Sequence, residues 1–174
     1  MIGNSGDCFN NHLDLFERLK GINITGNKIY SFLSYGGTKL YKDKVKFVAN
    51  KYFRDNFIPL EHFLSYEEFC KIINSCGNVI MGHERQQAMG NIYTSLWNGC
   101  KIYVSETSIL YQYMKNNGFN VYTIQKDLNE YNINTEMSFN AKLGNRKTLI
   151  KLQSPKVNME KIHRIYEILE ESIQ

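Results

Sequence analysis

The chain has 174 residues, of which 43% are hydrophobic and 22% are charged, and its formal net charge is +4. These values are those of one soluble globular domain, too small for a complete two-domain enzyme. No basic run indicates nucleic-acid binding, whereas an anionic small molecule or an anionic membrane surface is compatible with the charge. No apolar stretch approaches a membrane span, the start lacks a signal peptide, and the cysteines lack zinc spacing, so we expect a protein of the reducing cytoplasm.

The first residues are typical of a strand end followed by a loop of small residues. Only Met1 and Ile2 precede the loop Gly3–Asp7, and Asn10-Asn11-His12 then leads into a helix that should end at Gly21. Glycines in such a loop allow backbone N–H groups to approach a diphosphate closely. We therefore expect a chain that begins inside a structural element, with a phosphate-facing loop.

Strands and helices then alternate about five times, which predicts a parallel sheet with helices on both faces, a Rossmann-like α/β fold. Thr38 is the predicted N-cap of the second helix, and Ser65 with Glu68 forms a capping-box pattern for the third. The predicted strands cover residues 28–34, 57–64, 79–81, 101–104 and 121–124.

The remainder of the chain is weakly patterned up to its last helix. Residues 125–155 are polar and weakly periodic, which predicts a loop with at most one short helix. A final helix, capped by Asn158, carries an apolar stripe of Met159, Ile162, Tyr166, Leu169 and Ile173, part of which should be exposed or pack on another chain. We therefore divide the chain into a sheet domain at 1–124, a polar connecting segment at 125–158 and a C-terminal helix at 159–174.

The polar segment Gly82–Asn91 is the first candidate site. It follows the apolar run 78–81 and contains His, Glu, Arg and two Gln residues in succession, more polar groups than packing needs. Ligands of open α/β sheets bind outside the carboxyl ends of the strands, and a helix N-terminus with an Arg beside it suits phosphate.

Three motifs in this order resemble the second half of bacterial N-acetylfucosamine transferases. These enzymes of glycosyltransferase family 56 transfer 4-acetamido-4,6-dideoxygalactose from a TDP-sugar to lipid II in enterobacterial common antigen synthesis and related surface polysaccharides. The resemblance covers roughly residues 3–124. The motifs are Gly3-Asn4-Ser5-Gly6-Asp7 with Asn10-Asn11-His12, Ser34-Tyr35-Gly36 with Tyr41, and His83-x-Arg85-Gln86-Gln87-Ala88-x-Gly90-Asn91-Ile92 with Gly99.

The resemblance implies the C-terminal, donor-binding half of a two-domain GT-B glycosyltransferase. It implies a dTDP-linked donor, a lipid-linked saccharide acceptor, a cytoplasmic location peripheral to the inner membrane, and neither cofactor nor metal. No catalytic base is assigned. The implied donor-binding residues are Gly3, Asn4, Ser5, Gly6, Asp7, Asn11, His12, Ser34, Tyr35, Gly36, His83, Arg85, Gln86, Gln87, Gly90 and Asn91.

Two departures from the family pattern keep an alternative open. The family's N-terminal half is missing, so another chain would have to supply it, and residues 92–96 lack the acid that holds the ribose in many GT-B enzymes. The alternative is a non-catalytic nucleotide- or anion-binding module, a truncated or split-gene remnant.

Simpler explanations also exist for single residues: Arg85 could pair with Glu84, and His12 could face solvent. A dinucleotide-dependent dehydrogenase fits poorly, because G-x-G-x-x-G is absent.

Overall fold

A computed structural model describes residues 1–24, 26–85 and 87–173 of the chain. The described residues include thirteen helices and strands, together with short 3-10 turns at Cys8–Asn10 and Arg54–Asn56. In chain order these elements are α1 (His12–Leu19), β1 (Ile29–Phe32), α2 (Lys39–Phe53), β2 (Phe57–Leu60), α3 (Tyr66–Ser75), β3 (Asn78–Met81), α4 (Met89–Trp97), β4 (Lys101–Val104), α5 (Ile109–Asn116), β5 (Tyr122–Thr123), α6 (Glu130–Asn134), α7 (Phe139–Gln153) and α8 (Pro155–Ile173).

The strands pair in parallel throughout the described sheet. β1 pairs with β2, while β4 lies between β3 and β5. Ile2 connects the two groups, because it forms parallel bridges to Ser31 of β1 and to Ile80 of β3. The resulting order is β2, β1, Ile2, β3, β4, β5. Ile2 therefore lies in the middle of the sheet.

Alternate strand residues face two hydrophobic clusters, one on each side of the sheet. Val79 and Met81 of β3 pack into a cluster with buried residues of α3, α4, α5 and α7. Ile80, between them in sequence, packs into a second cluster with residues of α1 and α2. Because successive side chains of a strand point to opposite faces, the sheet is covered by helices on both sides. This part of the predicted fold is confirmed.

Two of the predicted helix starts are confirmed in detail. The Thr38 hydroxyl accepts a hydrogen bond from the Tyr41 N–H at 3.2 Å. Ser65 and Glu68 form the complete capping box, each satisfying the other's backbone N–H. Pro59 lies in β2 at the edge of the sheet, where its missing N–H costs no ladder hydrogen bond.

The expected loop at 125–155 is wrong. This segment, assigned to a connecting stretch at 125–158, forms α6, the fifteen residues of α7 and the first turn of α8. α7 is anchored by Leu149, which joins the first cluster, and by Asn145, whose side chain accepts a hydrogen bond from the Asn120 N–H at 2.7 Å. Because only these two residues of α7 are buried, and one is polar, the helix shows no apolar stripe in the sequence.

The last helix also begins earlier than predicted. α8 starts at Pro155, and Asn158 lies inside it, so Asn158 is not the cap. Proline favours the first helical position, and the preceding Ser154 hydroxyl accepts a hydrogen bond from Val157 N–H at 3.4 Å. The predicted apolar stripe is exposed over its described side chains, with Met159 52% and Leu169 51% exposed. No helix among the described residues is long and apolar enough to cross a membrane.

Candidate functional site

Three polar loops meet at the carboxyl edge of the sheet. The first loop (Gly3–Asp7) follows Ile2, the second loop (residues 34–37) follows β1, and the third loop (residues 82–88) follows β3. The Gly6 N–H donates to the Tyr35 carbonyl at 2.7 Å, and the Gln87 side chain donates to the Asn4 side chain at 3.3 Å. The sequence therefore correctly predicts that these segments lie together.

The strand order reverses between the first and third loops, and we call the region between these two loops the crevice. In the strand order, β1 and β2 lie on one side of Ile2 and β3 lies on its other side. The chain proceeds from Ile2 to β1 and β2 and then returns past Ile2 to β3. The first loop leads to α1 on one face, and the third loop leads to α4 on the opposite face. Such a reversal of strand order is where open parallel sheets bind their ligands.

The first loop is held by hydrogen bonds, most of them to residues outside it. Asn10 is buried and organises it: its side chain accepts from the Asn4 N–H at 3.1 Å and donates to the Ser5 carbonyl at 3.1 Å. The N–H groups of Gly3, Gly6 and Asp7 also have protein partners. Four of the five N–H groups of this loop are thus occupied and cannot bind a ligand. The loop therefore contributes mainly to the shape of the site. The Asn4 side chain joins it to the Tyr35 hydroxyl at 3.1 Å.

Two glycines allow the loops to approach this closely. Gly37 has a φ of +64°, and a Cβ atom there would lie 1.8 Å from the Gly6 carbonyl oxygen. Gly3 has a φ of +66°, and a Cβ atom there would lie 2.6 Å from Nε2 of His12. Any side chain at either position would displace backbone or a buried ring.

His12 and His83 are fully buried beneath the loops. His12 does not face solvent, and its Nδ1 lies 3.3 Å from the Tyr41 hydroxyl. Burial lowers the pKa of His12 to about 4, against the opposing charge of Asp7. Burial also lowers the pKa of His83, whose Nδ1–H donates to the Arg85 carbonyl at 2.8 Å. Both rings are therefore neutral near pH 7, and Nε2 of each lacks a hydrogen-bond partner among the described residues.

Arg85 is the exposed cation of the third loop. Its guanidinium carbon lies 4.2 Å from the ring centroid of Phe9, and it has no carboxylate partner within the described part of the chain. Glu84, the suspected partner, instead accepts a hydrogen bond from Thr107 at 3.4 Å. Gln86 lies outside the described residues.

The third loop ends at an uncapped helix. Ala88 precedes α4 with a φ of 57° and forms no side-chain cap, and the first intrahelical bond runs from Ile92 N–H to the Ala88 carbonyl. The N–H groups of Met89, Gly90 and Asn91 therefore have no intrahelical acceptor. Gly90 is exposed and Asn91 half-buried, so this first turn is accessible to solvent.

A comparison with protein-family models matches residues 1–161 to the family described as 4-alpha-L-fucosyltransferase, glycosyl transferase group 56. The chain belongs to this glycosyltransferase family. Membership makes it a transferase with a nucleotide-sugar donor and a glycan acceptor. Comparisons with curated proteins and with solved structures gave no significant match.

The matched region of this glycosyltransferase contains all three loops and the helices that follow them. Sequence reasoning missed one cation beside them, Lys42 of α2, whose half-buried side chain lies along Gly6. Lys42 occupies an ordinary polar position of a helix, so no sequence signal distinguishes it. Among the residues that the structure describes, no three His, Cys, Asp or Glu side chains are placed to hold a metal ion.

Proposed function

We propose that the crevice between the first and third loops binds a dTDP-linked N-acetylfucosamine, and that these residues form the donor-binding half of a GT-B glycosyltransferase. The observation that carries this proposal is the position of Arg85, an exposed cation without a described counterion in the loop that leads to an uncapped helix. Family membership supports sugar transfer in general, and the resemblance of the three motifs supports this donor.

The diphosphate of the donor would lie at the N-terminus of α4. The N–H groups of Met89, Gly90 and Asn91, which have no acceptor within α4, and the helix dipole favour an anion there. The planar guanidinium of Arg85 can bind one phosphate through two hydrogen bonds. As the glycosidic bond breaks, negative charge grows on the leaving diphosphate, and these preorganised donors would stabilise it.

The remaining polar residues of the site would shape the donor pocket. The hydrogen-bonded series Gln87, Asn4 and Tyr35 spans the three loops and would fix the pocket's width. Ser34 and Gly36 would border it, and neutral His83 would hold the backbone of Arg85 in place through its Nδ1 contact. His12 supports the first loop from below.

The acceptor in this proposal is a lipid-linked saccharide, approached at the cytoplasmic face of the inner membrane. In the GT-B architecture the acceptor lies between two halves, and the last helix often crosses onto the other half. The exposed apolar stripe of α8, with Met159, Ile162 and Leu169, supports the proposal that this helix packs against the other half.

Calorimetry with dTDP, UDP and GDP tests the donor assignment. We expect dTDP to bind most tightly, because the family resemblance implies a dTDP-linked donor. Base preference therefore tests the pocket and the resemblance together. A chain that binds all three equally, or none of them, would contradict the proposal. A transfer assay with dTDP-N-acetylfucosamine and a lipid-linked acceptor then tests whether the bound donor is used.

A further inference from the structure

The first turn of α2 lies directly against the first loop. Gly37, just before α2, touches Gly6, and the Tyr41 hydroxyl contacts His12. A Cβ atom on Gly6 would lie 2.5 Å from Cε and 3.1 Å from Cγ and Cδ of Lys42. The stem of Lys42 therefore crosses the loop at Gly6, which has no side chain to obstruct it. The ammonium of Lys42 lies one bond beyond Cε.

Lys42 has no counterion in the described part of the chain, in contrast to its neighbour one turn later. Lys46 is held by Asp43 at 3.2 Å and by Glu61 at 2.7 Å. The nearest acid of the first loop, Asp7, already accepts the Phe9 N–H at 3.0 Å. A half-buried cation without a partner, beside a crevice, favours an anionic ligand.

We propose that Lys42 is the second cation of the donor site and binds the diphosphate from its position beside Gly6. Arg85 stacks on Phe9, and Lys42 lies on Gly6, so both cations contact the same short segment. This inference rests on the proposed donor site. It adds that the site distinguishes a diphosphate from a monophosphate, because two cations at separate positions suit two phosphate groups.

A purely structural role for Lys42 would be to cover the Gly6 backbone with its methylene stem. Lys42→Met separates the two roles, because methionine retains an unbranched apolar stem and removes the ammonium. Lys44→Met is the matched control, since Lys44 is an exposed lysine of the same helix.

The experiment is calorimetry of the full chain with dTDP, dTMP and pyrophosphate. We expect Lys42→Met to weaken dTDP and pyrophosphate binding about tenfold or more, the effect of losing a charge-assisted hydrogen bond. Binding of dTMP should weaken less than about threefold, and Lys44→Met should change none of the three affinities. Wild-type affinity of Lys42→Met for dTDP and pyrophosphate would overturn the inference.

Gly6→Ala provides a second variant, since its methyl group would displace the Lys42 stem while the charge is retained. Once its melting temperature shows that it is folded, it should lose pyrophosphate affinity as Lys42→Met does. If the wild-type chain prefers UDP or GDP but binds pyrophosphate through Lys42, the proposed donor is wrong and this inference stands. If dTDP binding depends on Arg85 and not on Lys42, this inference alone is wrong, and no binding of either ligand overturns both.

Discussion

The first and third loops border the same crevice, yet they differ in how their polar groups are used. In the first loop, four of five backbone N–H groups and the buried Asn10 side chain are satisfied by the protein itself. In the third loop, the Arg85 guanidinium has only an aromatic partner among the described residues, and Ala88 provides no side-chain cap for the following helix. One loop is a closed hydrogen-bonded framework, and the other presents unsatisfied groups to the crevice.

This difference predicts where mutations act. A buried, satisfied network loses folding stability when one member is removed, because the remaining partners become unsatisfied. An exposed, unsatisfied group contributes little to folding and acts when a ligand arrives. Changes to the first loop and its supports should therefore lower the free energy of unfolding, and changes to the third loop should alter binding.

The largest effect is expected from Gly37→Ala, which disturbs the contact between the second loop and the first loop. The added methyl group would overlap the Gly6 carbonyl, at 1.8 Å, in a residue with a φ of +64°. We expect a loss of about 4 kcal/mol in the free energy of unfolding, measured by urea denaturation. Gly118→Ala is the control: its φ is +81° but no atom lies within 4 Å, so only about 1–2 kcal/mol should be lost. Equal losses would show that the loop contact is unimportant.

The next effect concerns pH and the ring of His12 beneath the first loop. Its pKa falls from 6.5 to about 4 on folding, so the unfolded chain takes up this proton first as the pH drops. The corresponding stability is fully present above about pH 6.5 and is lost as the pH falls to about 4, a total of roughly 3 kcal/mol. His83, whose pKa is also lowered, adds a loss in the same direction.

Denaturation of the His12→Gln variant between pH 7 and pH 4 measures this contribution. The variant should lose less stability over that range than the wild-type chain. His163→Gln is the control, because His163 is exposed on α8. Parallel curves for wild type and His12→Gln would exclude a buried, neutral His12.

Arg85→Ala tests whether the third loop binds the ligand. It should weaken dTDP binding by roughly 1.5–3 kcal/mol, the range for hydrogen bonds to a charged group. The melting temperature should hardly change, because an exposed cation–π contact such as that with Phe9 is worth about 0.5–1 kcal/mol at most. Arg18→Ala, on an exposed arginine of α1, should change neither quantity. Unchanged dTDP affinity in Arg85→Ala would remove Arg85 from the site.

The sequence predicts the edge of the sheet where the site lies, because each strand is a short buried run followed by a polar or glycine-rich loop. Parallel strands bring such loops together without further information, so the strand pattern alone predicts that the loops ending at Asp7, Gly37 and Ala88 meet. Local signals such as the Ser65 capping box were equally readable, since they depend on residues three positions apart.

The features that sequence reasoning missed depend on contacts between distant segments. The burial of His12 requires α2 to supply Tyr41, and the position of Lys42 requires Gly6 to lie against that same helix. α7 was missed because its anchors, Asn145 and Leu149, do not form a stripe. Such contacts follow from how elements dock, which local patterns do not encode.

The smallest effect concerns the two helix starts beside the crevice, where Asn11 and Ala88 both adopt left-handed backbone conformations, with φ of 52° and 57°. Ala88→Gly removes the strain of an alanine in this conformation and should raise stability by up to about 1 kcal/mol. Asn11→Gly should instead lower stability by about 1 kcal/mol, because the Asn11 side chain donates to the Gly82 carbonyl at 2.6 Å. Urea denaturation of the two variants should therefore give changes of opposite sign. If both variants were more stable than the wild-type chain, relief of strain at Asn11 would outweigh its hydrogen bond; if both were less stable, Ala88 would not be strained. Either result would contradict the contrast between the first and third loops at this point.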